Sequence, residues 1–147
     1  MNGDTVDFNL ERFLKQQVFD YATALREIKN GQKRSHWIWY IFPQLNGLGR
    51  SYNSKYYGIS SIEEAKAYLR HPVLGTRLRE ITQALLDCDN KSAKDILGVP
   101  DNRKVKSSMT LFDLVSPNDI FNDVLNKYYE GRRCKRTIKW QGPQENK

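Results

Sequence analysis

Two stretches of the chain carry side chains able to hold an anion. The first is Lys33-Arg34-Ser35-His36-Trp37-Ile38-Trp39-Tyr40-Ile41-Phe42-Pro43-Gln44-Leu45-Asn46-Gly47-Leu48-Gly49-Arg50-Ser51. Arg34 can grip a phosphate or carboxylate through two parallel hydrogen bonds. Lys33 adds a point charge and Gln44 a neutral amide, while Gly47 and Gly49 let backbone amides approach a ligand closely. A helix beginning at Ser35 would aim its first amides at the same place and favour negative charge there. Imidazole is the side chain suited to proton transfer near neutral pH, which makes His36 the candidate general acid or base. Trp37 or Tyr57 offers a ring for stacking a base. The second stretch is Pro100-Asp101-Asn102-Arg103-Lys104-Val105-Lys106-Ser107-Ser108-Met109-Thr110. Lys104, Ser107 and Ser108 share one side of a helix there, a lysine and two hydroxyls that can grip an oxyanion.

Each element of this constellation also has a purely structural reading. Trp37, Trp39, Tyr40 and Phe42 suit a core, and residues 37–57 hold seven of the 17 aromatic residues. The basic flank with its glycines suits a solvated turn, and residues 104–108 suit an exposed helix face. Gln17 lies in line with Leu10, Phe13, Leu14 and Tyr21 on an apolar stripe. Burial of its amide would cost about 1–3 kcal/mol without a partner, so an internal hydrogen bond is expected. Other chemistries find little support. Histidines 36 and 71 and cysteines 88 and 134 show no metal-ligand spacing, so neither a metal nor a cofactor is expected. Phosphate-loop, dinucleotide and nucleophile-elbow motifs are missing from the sequence.

Charge agrees with an anionic partner. The 147 residues carry 24 Lys and Arg against 17 Asp and Glu, a net +7. The excess is uneven: residues 31–58 sum to +4 and residues 131–147 to +5, while residues 111–130 sum to −3. Such a field attracts phosphates, nucleic acid or anionic metabolites, although this net charge is also ordinary for solubility. No apolar run approaches the ~20 residues of a membrane span, and the start of the chain does not read as a signal peptide. A cytoplasmic setting with no membrane partner is expected.

The elements that must position these groups read as helices throughout. The expectation is all-α: one compact helical domain over residues 1–140 of about six helices, with a basic C-terminal tail drawn from the +5 segment 131–147, and disorder over 141–147. Asp7 is the expected cap of a helix over about 8–30, closed by Gly31. Ser60 or Ser61 with Glu63 or Glu64 starts the next. His71-Pro72 breaks it, and Leu74, Leu78, Ile81 and Leu85 carry another. Ser92 with Asp95 starts a short helix that Gly98 ends. Asp101 is expected to cap a helix through Met109, Leu111, Phe112 and Val115. Ser116-Pro117 opens the last, with Ile120, Phe121, Val124, Leu125 and Tyr128 on one face. The run 37–42 is ambiguous by periodicity. Lacking any strand partner, it is read as a short buried helix capped by Ser35.

The stretches DFNLERFLKQQ (7–17), GQKRSHWIWYIFPQLNGLG (31–49), AYLRHPVLG (67–75) and PDNRKVKSSMTLF (100–112) resemble the bacterial domain-of-unknown-function family 1810. Its members are sometimes labelled calpastatin-like, a label at odds with a chain patterned for a core. The resemblance covers about residues 7–138. It implies an all-helical fold and a signature that combines Arg12, Gln17, Lys33 to Trp37, Gln44, Gly47, Gly49, Lys104, Ser107 and Ser108. It implies no activity. Family members commonly carry an acid where this chain has Cys134.

Three readings follow. The first is a site for an anionic, phosphorylated or nucleotide-like small molecule, lined by Lys33, Arg34, Trp37, Gln44, Gly47, Gly49, Lys104, Ser107 and Ser108, with His36 as acid or base if a reaction occurs. The second is a nucleic-acid or protein interaction module that uses the basic tail without catalysis. The third makes the signature architectural.

Overall fold

The computed structural model describes residues 7–140, and every regular element in that span is a helix. Nine are present among the described residues: α1 (Glu11–Lys29), α2 (Ile38–Ile41), α3 (Tyr52–Tyr56), α4 (Ile62–Arg70), α5 (Leu74–Leu86), α6 (Ala93–Leu97), α7 (Asp101–Val115), α8 (Ile120–Tyr129) and α9 (Lys135–Lys139). The number exceeds the expected six mainly because α3 and α9, of five residues each, are too short for apolar periodicity to reveal. An isolated parallel bridge joins Leu45 to Ile59.

Local chemistry sets most helix limits. At the end of α1, Gly31 takes φ +74°. Its amide bonds Ile28 O while the Gln32 amide bonds Glu27 O, so the last carbonyls of the helix are satisfied. Ser61 accepts the Glu64 amide at the start of α4. His71 Nδ1 accepts the amides of Val73 and Leu74, which makes the histidine the turn into α5. Ser92 and Asp95 form a reciprocal capping box on α6. Asp119, braced by Ser116, caps α8.

Three expected caps are corrected. Asp7 accepts the Asn9 amide two residues on, and α1 begins only at Glu11. Ser35 does not cap α2, whose N-cap is Trp37. Asp101 is the first residue of α7 and faces Lys33 at 2.8 Å. In the last two cases a distant partner outcompetes the local turn.

One core of buried residues joins α1, α2 and α4–α8. Phe13, Ile28, Trp37, Tyr68, Leu74, Phe112 and Phe121 are among its largest side chains. Helix α7 runs through the middle, packed on α4, α6, α8, α9 and α2. Residues 105 and 107–113 are therefore all buried, polar ones included. The segment expected as a basic tail folds back instead. Arg133 is held by Asp113 at 2.8 Å and Asn122 at 2.9 Å, the Cys134 amide bonds Thr110 Oγ1, and Trp140 Nε1 donates to Asn46 O. The expected disorder over 141–147 lies outside the described residues. Among the described residues no helix is long and apolar enough to cross a membrane.

Candidate functional site

The basic segment 33–37 is organised by an acid of its own chain. Glu27, in the last turns of α1, turns its carboxylate under this loop. It accepts hydrogen bonds from the amides of Arg34 and Ser35 at 2.8 and 3.0 Å, the Ser35 hydroxyl at 2.6 Å and the Trp37 indole at 2.9 Å. Burial would raise its pKa, but the bonds from the Ser35 hydroxyl, the Arg34 amide, the Trp37 indole and the Ser35 amide together lower it from 4.5 to about 2. The amides expected to receive a ligand anion are thus occupied. Trp37, 1% exposed, is core and not a ligand platform. Lys33 pairs with Asp101 and lies over the Trp37 ring at 4.9 Å.

Gln17 and Arg12 are internal as well. Gln17 donates to Tyr40 O and the Tyr68 hydroxyl and accepts from Arg77. Arg12 bonds the carbonyls of Phe8, Asn9, Tyr56 and Gly58 and pairs with Glu64 at 2.9 Å, tying the start of α1 to α3 and α4.

Two clefts meet at the start of α7. The first, about 320 Å³, lies between the 44–49 loop, α7 and the entry to α9. Its lining includes Gln44, Gly49, Arg103, Lys104, Ser107, Cys134 and Arg136. Gln44 is fixed by its backbone: its carbonyl accepts the Ile59 amide, and Asn46 N bonds Ile59 O. Gly49 is required because a Cβ there would collide with the Ser54 side chain. Ser107 is held at 2.9 Å from Thr137 Oγ1 on α9. The Cys134 thiol is pushed up by burial, yet bonds from the Thr137 hydroxyl and amide, the Ser107 hydroxyl and the Arg136 amide bring it below its ordinary value. The Lys104 ammonium rests over the Trp39 ring at 5.2 Å.

The second cleft, about 370 Å³, shares Pro100 and Lys104 with the first and adds Lys33, Arg34, His36 and Trp39. It also contains the carboxylate of Asp101, already paired with Lys33. His36 is exposed, and its ring has no hydrogen-bond partner among the described residues, so nothing orients it for proton transfer. Among the described residues the Arg34 side chain bonds only that of Gln32.

The candidate residues therefore separate. Gln44, Gly49, Lys104 and Ser107 share the first cleft, and Lys33, Arg34 and His36 share the second with Lys104. Gly47 lines neither; at φ +97° it shapes the turn, and its carbonyl accepts from Arg136. Ser108 is fully buried in α7 and lines neither cleft. The sequence reading missed Arg103, Arg136 and Cys134 as lining residues. The signal available is the density of cations over 131–139, which reads as a tail because α9 spans so few residues. Among the described residues no three His, Cys, Asp or Glu side chains converge as a metal site.

The family described as Protein of unknown function (DUF1810) matches residues 7–140. The chain belongs to this family. Its fold is similar to the crystal structure, at 1.38 Å, of the conserved hypothetical protein Rv1873 from Mycobacterium tuberculosis. The two are 45% identical, with a TM-score of 0.89, over 90% of this chain and 96% of that one. Among curated proteins nothing matches the chain. Within this DUF1810 chain, the first cleft brings cations from α7 and α9 together with no acidic residue among the described residues of its lining.

Proposed function

We propose that the chain binds a compact anionic ligand, a phosphorylated or nucleotide-like small molecule, in the first cleft. The observation that carries this reading is the convergence of Arg103, Lys104 and Arg136, none of which has an acidic partner among the described residues. Gln44 and Ser107 add neutral hydrogen bonds to fix orientation. The second cleft is a weaker host, because Asp101 neutralises part of its charge. No reaction is assigned to the site. A cytoplasmic setting belongs to the same reading, and two free cysteines fit it.

The experiment is a thermal-shift series with inorganic phosphate, sugar phosphates and nucleoside monophosphates. Ligand at 100 times its dissociation constant should stabilise the fold by about 2.7 kcal/mol. Lys104→Ala should remove the shift and leave the unliganded melting temperature within a few degrees. Arg34→Ala should leave the shift intact; its loss would move the ligand to the second cleft. A panel in which nothing shifts the wild type refutes the reading.

A further inference from the structure

The first cleft does not end at Arg103, Cys134 and Arg136. The same three residues line a groove of about 880 Å³ that continues along α7, the turn after α8, and α9. Among the described residues nine line it, of which seven are Lys or Arg and none is acidic. Arg132 and Arg133 pair with Glu130 and Asp113. Arg103, Lys106, Lys135, Arg136 and Lys139 have no acidic partner among the described residues. Like charges held in one concavity repel one another, and a run of anionic groups laid among them removes that cost. A single compact anion satisfies the cations of the cleft and leaves the groove uncompensated.

We propose that the ligand is the phosphorylated end of a single nucleic-acid strand, its terminal phosphate in the first cleft and the following phosphates along the groove. This rests on the reading of the cleft as an anion site and extends it to a ligand class. An extended single strand can run along the groove and bring its end into the cleft, because Arg103, Cys134 and Arg136 line both. Arginines, which line both cleft and groove, match phosphate oxygens two at a time. No aromatic ring lines the groove, so affinity there comes from phosphates and tolerates any sequence. The terminal base has a place across Lys104, in the second cleft, whose lining includes Trp39.

The test is fluorescence anisotropy of the full chain with labelled eight-nucleotide strands bearing a 5′-phosphate, a 3′-phosphate or neither, alongside thermal shifts with a nucleoside monophosphate. One phosphorylated strand should bind at least tenfold more tightly than the unphosphorylated one, and Lys104→Ala should erase that advantage. The slope of log K against log salt should change by about 0.7 for each phosphate neutralised, so Arg136→Ala with Lys139→Ala should lower its magnitude by roughly 1.4. Bound strand should also slow alkylation of Cys134, which lies where cleft and groove meet. If the monophosphate stabilises the fold through Lys104 but strands bind no better and with a flat salt slope, the strand is refuted and the cleft reading stands. Equal binding of all three strands, indifferent to Lys104→Ala, refutes the strand end, and the absence of a monophosphate shift beside it refutes the cleft reading too. Inorganic polyphosphate that matches the strand in affinity, slope and Lys104 dependence refutes a base-bearing ligand. No binding by any probe refutes both.

Discussion

Glu27→Gln isolates the contact that organises the basic loop. In the wild type one carboxylate accepts four hydrogen bonds, two from amides, one from a hydroxyl and one from the Trp37 indole. Trp37 is 1% exposed, so its indole N–H cannot turn to water, and an orphaned buried donor costs about 1–3 kcal/mol. Arg34 and Ser35 lie nearer solvent and lose less, about 0.5–1 kcal/mol for each bond. The glutamine keeps one oxygen and turns an NH₂ toward groups that are themselves donors. A loss of about 3 kcal/mol follows, near the low end for breaking a buried charged network. For a chain of this size that is a fall in Tm of roughly 6–12 °C.

The pH dependence has a definite sign. Glu27 is lowered from 4.5 to about 2 in the folded chain, so its stabilisation is complete above pH 4.5 and disappears as pH falls from about 4.5 to about 2. That displacement is worth at most about 3 kcal/mol, and screening by solvent at the rim of the site reduces it to about 1–2. Denaturant unfolding of wild type and Glu27→Gln at pH 7, 4.5 and 3 is the assay, read by tryptophan fluorescence and circular dichroism. The gap between the two should be widest at pH 7 and narrow toward pH 3. A variant that melts within 2 °C of wild type at pH 7, or a gap that does not change with pH, would refute the assignment.

Other substitutions probe separate parts of the molecule. Gly75→Ala places a Cβ against the backbone carbonyl of Leu69 where α4 turns into α5; a loss of about 2–4 kcal/mol is expected in chemical denaturation. Arg12→Met removes the hub that joins the start of α1 to α3 and Glu64 and leaves that buried carboxylate with only the Ser60 amide and hydroxyl as partners and without its counter-charge. It should cost about 3–5 kcal/mol by the same measurement. The two cysteines should react differently. Hydrogen bonds lower the Cys134 thiol, while burial raises Cys88, whose Sγ donates to Ile28 O. Mass spectrometry after brief iodoacetamide treatment at neutral pH should find Cys134 modified first.

The sequence is legible wherever a structural decision is made within a few residues. Gly31, the Ser92–Asp95 box, His71-Pro72 and Gly98 each end or begin a helix through bonds to neighbours at most a turn away. The apolar stripes of α5 and α8 announce their own buried faces, whereas the same spacing on α1 also takes in Val18, which is 73% exposed. The short aromatic helix was legible by elimination, since a lone strand could not satisfy its backbone. The first cleft was partly legible, because Gln44, Gly49, Lys104 and Ser107 come from two stretches dense in anion-holding groups and do meet.

Tertiary packing decided which charge belongs to which partner. Read locally, Asp101 should cap α7 and the amides of Arg34 and Ser35 should await a ligand. In the fold, Lys33 takes Asp101 and Glu27 takes both amides, because α1 lies against the basic loop. Ser108 was drawn from the site into the core because α7 is enclosed by neighbouring helices. The cations after Gly131 became a groove wall when Arg133 locked onto Asp113 and α9 settled on α7. A cap or a helix stop is worth about 1 kcal/mol and forms within its own turn, so composition and spacing determine it. A buried ion pair or carboxylate network involves several kcal/mol and residues that meet only after the helices have packed, so the assembled structure determines it.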